Sequence, residues 1–449
     1  MSNSQDSELK RSLGLTPSIS LVIGTIIGTG VFLKAAIMSQ YLGNSTWVLI
    51  AWVVAGLLSL AGALTYAEIG ILFPRAGGEY VYLKEGFGEM PAFLYGWQRF
   101  WVSAPGTIAA YAVGTATFAA PLFKLDFLGG QKGFAIILIF LFSFLNCLNV
   151  RFGGRLQSLM TAVKVLMILF IVGGVLFIAP GNSMSHITDS GSAFPGFSAF
   201  GAALLAALWA YDGWNNMPMV AGEIKNPQKN IPLALGVGVL FILLIYCLIH
   251  FCYFYALPFE DVFNANSKVH PNALPVAAKV AESFMGNSGV WFLGLAMMFS
   301  AIGAMNGSIL TNARVPFAMA RDGLFLPALA KLHPRTEAPY MAVLVQAVLS
   351  AILALSGTFD QLTDYVVFAS WIFYALVTAS VFKFRKTHAE HERAYKAWGY
   401  PVVPVVFLVL AVLLLINTLW TSPQESLWGL CIILLGAPVY YWQRKLARA

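Results

Sequence analysis

Apolar runs of about twenty residues recur from one end of this 449-residue chain to the other. A helix of about that length crosses the hydrocarbon core of a bilayer. Inside lipid every backbone polar group must find a partner within the protein, so only helices and closed barrels span. Barrel strands alternate over roughly ten residues, and these runs are too long and too continuous for that. Only 10% of the residues are charged and 59% are hydrophobic, whereas a soluble chain carries about 25% charged residues. The expected fold class is therefore an all-α integral membrane protein. Twelve transmembrane helices are expected, over 15–42, 47–73, 91–120, 133–150, 155–179, 197–222, 231–257, 287–320, 339–356, 361–385, 402–420 and 426–443. They are numbered here as spans 1–12.

Charge sets the orientation. Lys10 and Arg11 precede span 1, and alternate loops then hold Arg75 and Lys84, Lys225 and Lys229, and Arg321, Lys331 and Arg335. The opposite loops hold only Lys124, Lys132, Lys268 and Lys279. By the positive-inside rule both termini are expected in the cytoplasm. The net charge of +7 is spread over loops, not gathered in a patch, so nucleic acid is not an expected partner. The lipid bilayer is. The polar start runs into a span long enough to stay in the membrane, so no cleaved signal peptide is expected. The four cysteines have neither metal-site nor disulfide-framework spacing. No metal, no cofactor and no enzyme activity is expected, because no nucleophile–base pair or ligand cluster stands out. Within the loops, 74–88 is expected to carry a short surface helix. The second half of 258–286 is expected to form a helix across the outer mouth.

Span 1 is wrong for an ordinary spanning helix. Gly24, Gly28 and Gly30 fall within seven residues, together with Thr25 and Thr29. Each glycine disfavours a helix by about 1 kcal/mol relative to alanine. One reading is a Gly-x-x-x-Gly packing face from Gly24 to Gly28. The other is a break at Gly28-Thr29-Gly30. Span 6 carries a similar anomaly, Trp209-Ala210-Tyr211-Asp212-Gly213-Trp214-Asn215-Asn216-Met217-Pro218. An acid at membrane depth is expensive and usually functional; the alternative for Asp212 is a structural hydrogen bond to a neighbouring helix.

The two anomalies are five spans apart. Corresponding breaks in two halves point to an inverted-repeat transporter with its site at the breaks. The repeats are expected over about 15–179 and 197–385, with helices 11 and 12 (about 402–443) added, in one transmembrane domain over 1–449. The second half of span 1 would turn the amides of Gly28, Thr29, Gly30 and Val31, and its positive dipole end, toward a carboxylate. Carbonyls of Ile26 and of Trp209, Ala210 and Tyr211 suit an ammonium group. A small zwitterion, an α-amino acid, matches both ends. Asp212 and Asn215 complete the candidate binding set.

Further motifs lie outside the breaks: Gly62-Ala63-Leu64-Thr65-Tyr66-Ala67-Glu68, Gly77-Gly78-Glu79-Tyr80, Gly222-Glu223-Ile224-Lys225-Asn226-Pro227, Asn306-Gly307-Ser308 and Ala320-Arg321-Asp322-Gly323. With both breaks, and in this order, they make the chain similar to the amino acid–polyamine–organocation superfamily. The resemblance is closest to its L-type amino acid transporter branch, which includes bacterial serine/threonine and alanine/serine/cysteine exchangers. It implies the leucine-transporter-like 5+5 inverted-repeat fold with discontinuous helices 1 and 6. It implies that Trp209 is the aromatic gate over the substrate; by itself Trp209 reads as a packing residue. It also implies that Lys164, two turns into span 5, is an internal cation replacing sodium, with Ser300 and Asn306 as candidate partners on span 8. Snorkelling or proton coupling are the other readings of Lys164. Animal members of the branch pair with a heavy subunit through a cysteine between spans 3 and 4. Residues 123–132 contain none, so no disulfide-linked heavy subunit is expected.

The sequence thus points to a sodium-independent antiporter of neutral L-amino acids in the inner or plasma membrane of a bacterium. The alternatives are an exchanger of cationic amino acids using Asp212, a proton-coupled symporter, or, in another class, a membrane receptor or sensor.

Overall fold

The computed structural model describes residues 9–120, 122–148, 150–188, 193–267, 269–270, 273–356, 359–421 and 423–448. The first eight residues of the polar start, and Lys268 of the opposite loops, lie outside them. Among the described residues the chain is helical, with one isolated parallel bridge between Leu13 and Ile224. Among the described residues each of the twelve apolar segments is mainly helical. Eight stretches are long and apolar enough to cross a membrane, and Phe197–Tyr211 and Tyr340–Leu355 are shorter apolar helices. Large apolar side chains such as Leu159, Phe177, Leu434 and Trp420 face outward, as lipid-facing positions do.

Spans 1, 2, 6 and 7 form one packed group. The Leu15–Ile26 helix of span 1 lies on span 7 (Pro227–Ala256), and the Phe197–Tyr211 helix of span 6 lies on span 2 (Ser45–Leu72). Spans 3, 4, 8 and 9 form a second packed group, with span 3 against both span 8 and span 9, and span 8 meets the Leu15–Ile26 helix of span 1. Small residues allow these approaches. A Cβ on Gly238 would lie 2.8 Å from a Val22 methyl, and where span 2 meets span 11 one on Gly62 would lie 2.7 Å from the Phe407 ring.

Three segments depart from expectation. Span 3 is not one regular helix: Glu89–Gln98 passes through a π-helical turn, Arg99–Ser103, into Ala104–Ala119. A π-turn inside a helix commonly marks a functional position. Span 8 is divided at Ala313 into Asn287–Asn312 and Arg314–Arg321. The helix in 74–88 exists, Glu79–Phe87, but it is not a surface helix. Glu79, Tyr80, Val81, Tyr82 and Leu83 are all buried. The chain turns inward at Gly77 and Gly78, whose φ values are +111° and +50°. The Gly77 amide donates to the Met219 carbonyl at 2.9 Å, tying this loop to span 6. In 258–286, Phe259–Phe263 and Val276–Met285 are helices, and the second packs on Gly30–Leu42 and span 8.

Candidate functional site

Span 1 is two helices, Leu15–Ile26 and Gly30–Leu42, separated by three non-helical residues. Among the described residues the amides of Gly28, Thr29, Gly30 and Val31 have no hydrogen-bond partner, and neither has the buried Thr29 hydroxyl. Span 6 is also broken. Its Phe197–Tyr211 helix ends where Asp212 turns extended (ψ 149°), Gly213 follows at φ +117°, and a short helix resumes at Asn216–Met219.

The two breaks cross. A Cβ on Gly30 would lie 2.9 Å from the Ala210 Cα, and one on Gly213 would lie 2.9 Å from the Thr25 carbonyl carbon. The glycines let the two backbones touch at the ends of their helices. The two readings of Gly-x-x-x-Gly divide between its ends. Gly24 packs against Thr161 and Gln157 of span 5, whereas Gly28 stands at the break and faces the Tyr111 ring.

The crossing gathers most of the expected site residues. The carbonyls of Ile26 and Ala210 both accept from the Tyr246 hydroxyl at 3.1 Å. The Val31 carbonyl accepts from Tyr253 at 3.4 Å. Trp209 is buried, with its ring centroid 6.4 Å from that of Tyr111. The Tyr211 side chain turns away from the break toward Gly56 of span 2, and its ring is tilted against that of Tyr246 with the centroids 5.0 Å apart. Asp212 accepts from the Tyr374 hydroxyl of span 10 at 2.7 Å. Asn215 points elsewhere: its amide donates to Glu79 at 3.2 Å, in a buried group with Tyr66 and Tyr95.

Lys164 is buried, and its ammonium donates to the Gly24 carbonyl at 2.8 Å and the Ile27 carbonyl at 2.6 Å. A snorkelling lysine would point to water. Ser300 of span 8 donates to the Gly28 carbonyl at 2.9 Å and lies 3.3 Å from that of Ile27. Asn306 does not reach Lys164: it donates to Gln157 and accepts from Asn146, both at 2.9 Å. It lies nearly two helical turns beyond Ser300, too far along span 8 to share the break.

The sequence profile of the amino acid permease family matches residues 13–441. The chain belongs to that family. It is 34% identical to the serine/threonine exchanger SteT of Bacillus subtilis over 445 residues, 99% of each chain. It is 30% identical to the human b(0,+)-type amino acid transporter 1 over 98% of this chain and 91% of that one. The mouse large neutral amino acids transporter small subunit 2 is 29% identical over 97% of this chain and 82% of that one. The placement in the amino acid–polyamine–organocation superfamily therefore holds.

In this permease several buried polar residues, some beside the site and some away from it, are not singled out by any apolar-run reading. Arg99, in the π-turn of span 3, donates to Asn312 and Asn216 at 2.8 Å each. Glu79 gathers Tyr66, Tyr95 and Asn215. Arg314 forms a two-pronged pair with Glu223 at 2.7 and 3.2 Å. Tyr246, on span 7, reaches both breaks at once. For Arg99 the available signal was its place two turns inside an apolar run, because charge at that depth needs a partner; Glu79 and Glu223 stand in the quoted motifs.

Proposed function

We propose that this permease is a sodium-independent exchanger of neutral L-amino acids that works by alternating access. The observation that carries the reading is the crossing of the two breaks. Four unpaired amides, Gly28 to Val31, begin one half-helix, where a carboxylate is favoured. The carbonyls of Ile26 and Ala210 lie beside them, where an ammonium is favoured. Both groups are common to every α-amino acid, so the side chain is left to be chosen by neighbours such as Trp209, the proposed gate. The relatives' names, a serine/threonine exchanger and a large neutral amino acids transporter subunit, agree. Asp212 is engaged by Tyr374, which favours neutral over cationic side chains.

The architecture of this reading is twelve spans in one domain, two five-span repeats of opposite topology, and both termini in the cytoplasm of a bacterial cell. Contacts that a pseudo-twofold axis would pair occur together. Span 1 on span 7 matches span 6 on span 2; span 3 on span 9 matches span 8 on span 4; span 5 on span 8 matches span 10 on span 3. Lys164 holds the span 1 carbonyls where a sodium ion would otherwise sit, next to Ser300. No heavy subunit is linked through a disulfide, since the loop between spans 3 and 4 has no cysteine.

Purified protein in liposomes tests this. Labelled L-serine or L-alanine should enter vesicles loaded with unlabelled amino acid, at the same rate in sodium and in choline. Equal entry into unloaded vesicles would overturn exchange, and a sodium requirement would overturn the role of Lys164.

A further inference from the structure

A hollow of about 260 Å³ lies where four segments meet, on the face expected in the cytoplasm. Arg11 comes from the segment before span 1, Arg75 and Lys84 from the loop after span 2, and Arg321 from the end of span 8. Among the described residues lining it, Asp322 is the one acid, and it is already engaged. Its carboxylate accepts from the Tyr80 hydroxyl at 2.8 Å and from the Lys84 ammonium at 2.7 Å. Arg75 pairs with Glu85, which does not line the hollow, and 59% of the arginine side chain is exposed. Such a surface pair is weak and exchangeable. The Arg321 guanidinium stands 5.9 Å from the centre of the Phe317 ring. Basic residues are common at cytoplasmic span ends, where they need only face water. These four instead converge from three segments on one hollow, against a single acid.

The hollow also straddles the two packed groups. Gly222, at the end of span 6, lies on one side with Arg11, whose neighbours Ser12 and Leu13 donate to the Glu223 carbonyl at 2.8 and 2.9 Å. Phe317 and Arg321, of the second helix of span 8, lie on the other. Guanidinium groups match phosphate oxygens in two-pronged pairs, and an ammonium adds a point charge. We propose that the hollow binds a phosphate group, free or on a lipid headgroup, and that the bound group ties span 6 to span 8 and slows exchange. A ligand shifts an equilibrium toward the arrangement it binds better, and rocking the two groups apart would part Arg11 from Arg321. The slowing rests on the alternating-access reading; the binding does not.

The test compares sodium phosphate with sodium chloride at equal ionic strength, on wild type and on Arg11→Gln/Arg321→Gln. Both arginines are exposed, so the variant should fold and exchange normally in chloride. In detergent, phosphate should raise the thermal unfolding midpoint of wild type but not that of the double variant. In phosphatidylcholine liposomes, phosphate on both faces should slow L-serine exchange by wild type. Arg321→Gln alone should need about tenfold more phosphate for the same slowing, the size of one hydrogen bond to a charged group. Phosphatidic acid in the liposomes, without inorganic phosphate, separates the sources. Slowing by the lipid that the double variant relieves assigns the group to a headgroup, and slowing by inorganic phosphate alone assigns it to the free anion. No response to either probe overturns the inference. So does equal slowing of wild type and double variant, or equal slowing by chloride, which marks charge screening. A midpoint shift with unaltered exchange marks an adventitious ion only and overturns it too. A wild type that exchanges no L-amino acid in chloride overturns the functional reading, and the slowing with it, while the midpoint still decides the binding.

Discussion

Lys164 and Ser300 meet at one carbonyl oxygen. Ile27 O accepts from the Lys164 ammonium at 2.6 Å and lies 3.3 Å from the Ser300 hydroxyl, so spans 5, 1 and 8 are joined at the first break. The lysine is 1% exposed. Its amine turns into the bundle toward the Gly24 and Ile27 carbonyls, so the side chain is not a surface anchor.

Lys164→Met keeps the length and apolar bulk of the side chain but withdraws the donors from Gly24 and Ile27. Exchange should slow by about tenfold or more, since hydrogen bonds to a charged group are the stronger kind. The detergent-solubilised protein should still run as a single species on size exclusion. Normal exchange rates in this variant would show that the lysine does not hold the break.

Gly213 and Thr25 hold the two breaks together. The Thr25 hydroxyl lies 3.0 Å from the Gly213 carbonyl, and Gly213 has φ +117°, where a side chain is strained. Gly213→Ala adds a Cβ 2.9 Å from the Thr25 carbonyl carbon, which is backbone and cannot swing aside. Exchange should fall to background while circular dichroism keeps its helical amplitude. Gly14→Ala, with open space around its Cβ, is the control and should behave as wild type.

Asp212 separates charge from hydrogen bonding. Asp212→Asn retains an oxygen for the Tyr374 hydroxyl, whereas Asp212→Ala strands that buried donor, at a cost of about 1–3 kcal/mol. For a carrier of neutral substrates, L-serine exchange should be nearly kept by asparagine and clearly reduced by alanine. Loss of L-serine exchange in both variants alike would mean that the negative charge itself is needed. A selective loss of L-lysine competition in Asp212→Asn would reveal cationic substrates.

Both breaks were legible because their residues violate the composition of a spanning helix. Three glycines within seven residues, and an Asp-Gly pair at membrane depth, fit poorly in an unbroken helix. The apolar runs likewise located the helical segments, since bilayer thickness fixes their length. What pattern cannot deliver is the rotation of a single side chain. Asn215 lies in a site motif, yet its amide turns to Glu79. Asn306 lies on the right span but at a depth that serves Gln157 and Asn146. Tyr246 was invisible for the opposite reason: in an apolar, aromatic-rich span nothing marks the one hydroxyl that reaches both breaks. The burial of Glu79–Leu83 also escaped, because Glu79, Lys84 and Glu85 read together as a surface, whereas Gly77 and Gly78 turn the start of the helix inward.

The Glu223–Arg314 pair offers a stability test away from the substrate. Both side chains are 1% exposed, and the pair joins the end of span 6 to the second helix of span 8. The Glu223 carbonyl also accepts from the Ser12 and Leu13 amides, at 2.8 and 2.9 Å, so the segment before span 1 is fastened at the same place. Removing one partner leaves an uncompensated buried charge, which typically destabilises by about 3–5 kcal/mol, whereas removing both can be close to neutral. Arg314→Met alone should therefore lower the thermal unfolding midpoint clearly, and Glu223→Gln added to it should restore much of the loss. That coupling between the two substitutions is the quantity a double-mutant cycle reads. Additive losses, with no recovery in the double variant, would mean that the two side chains act independently despite their 2.7 Å contact.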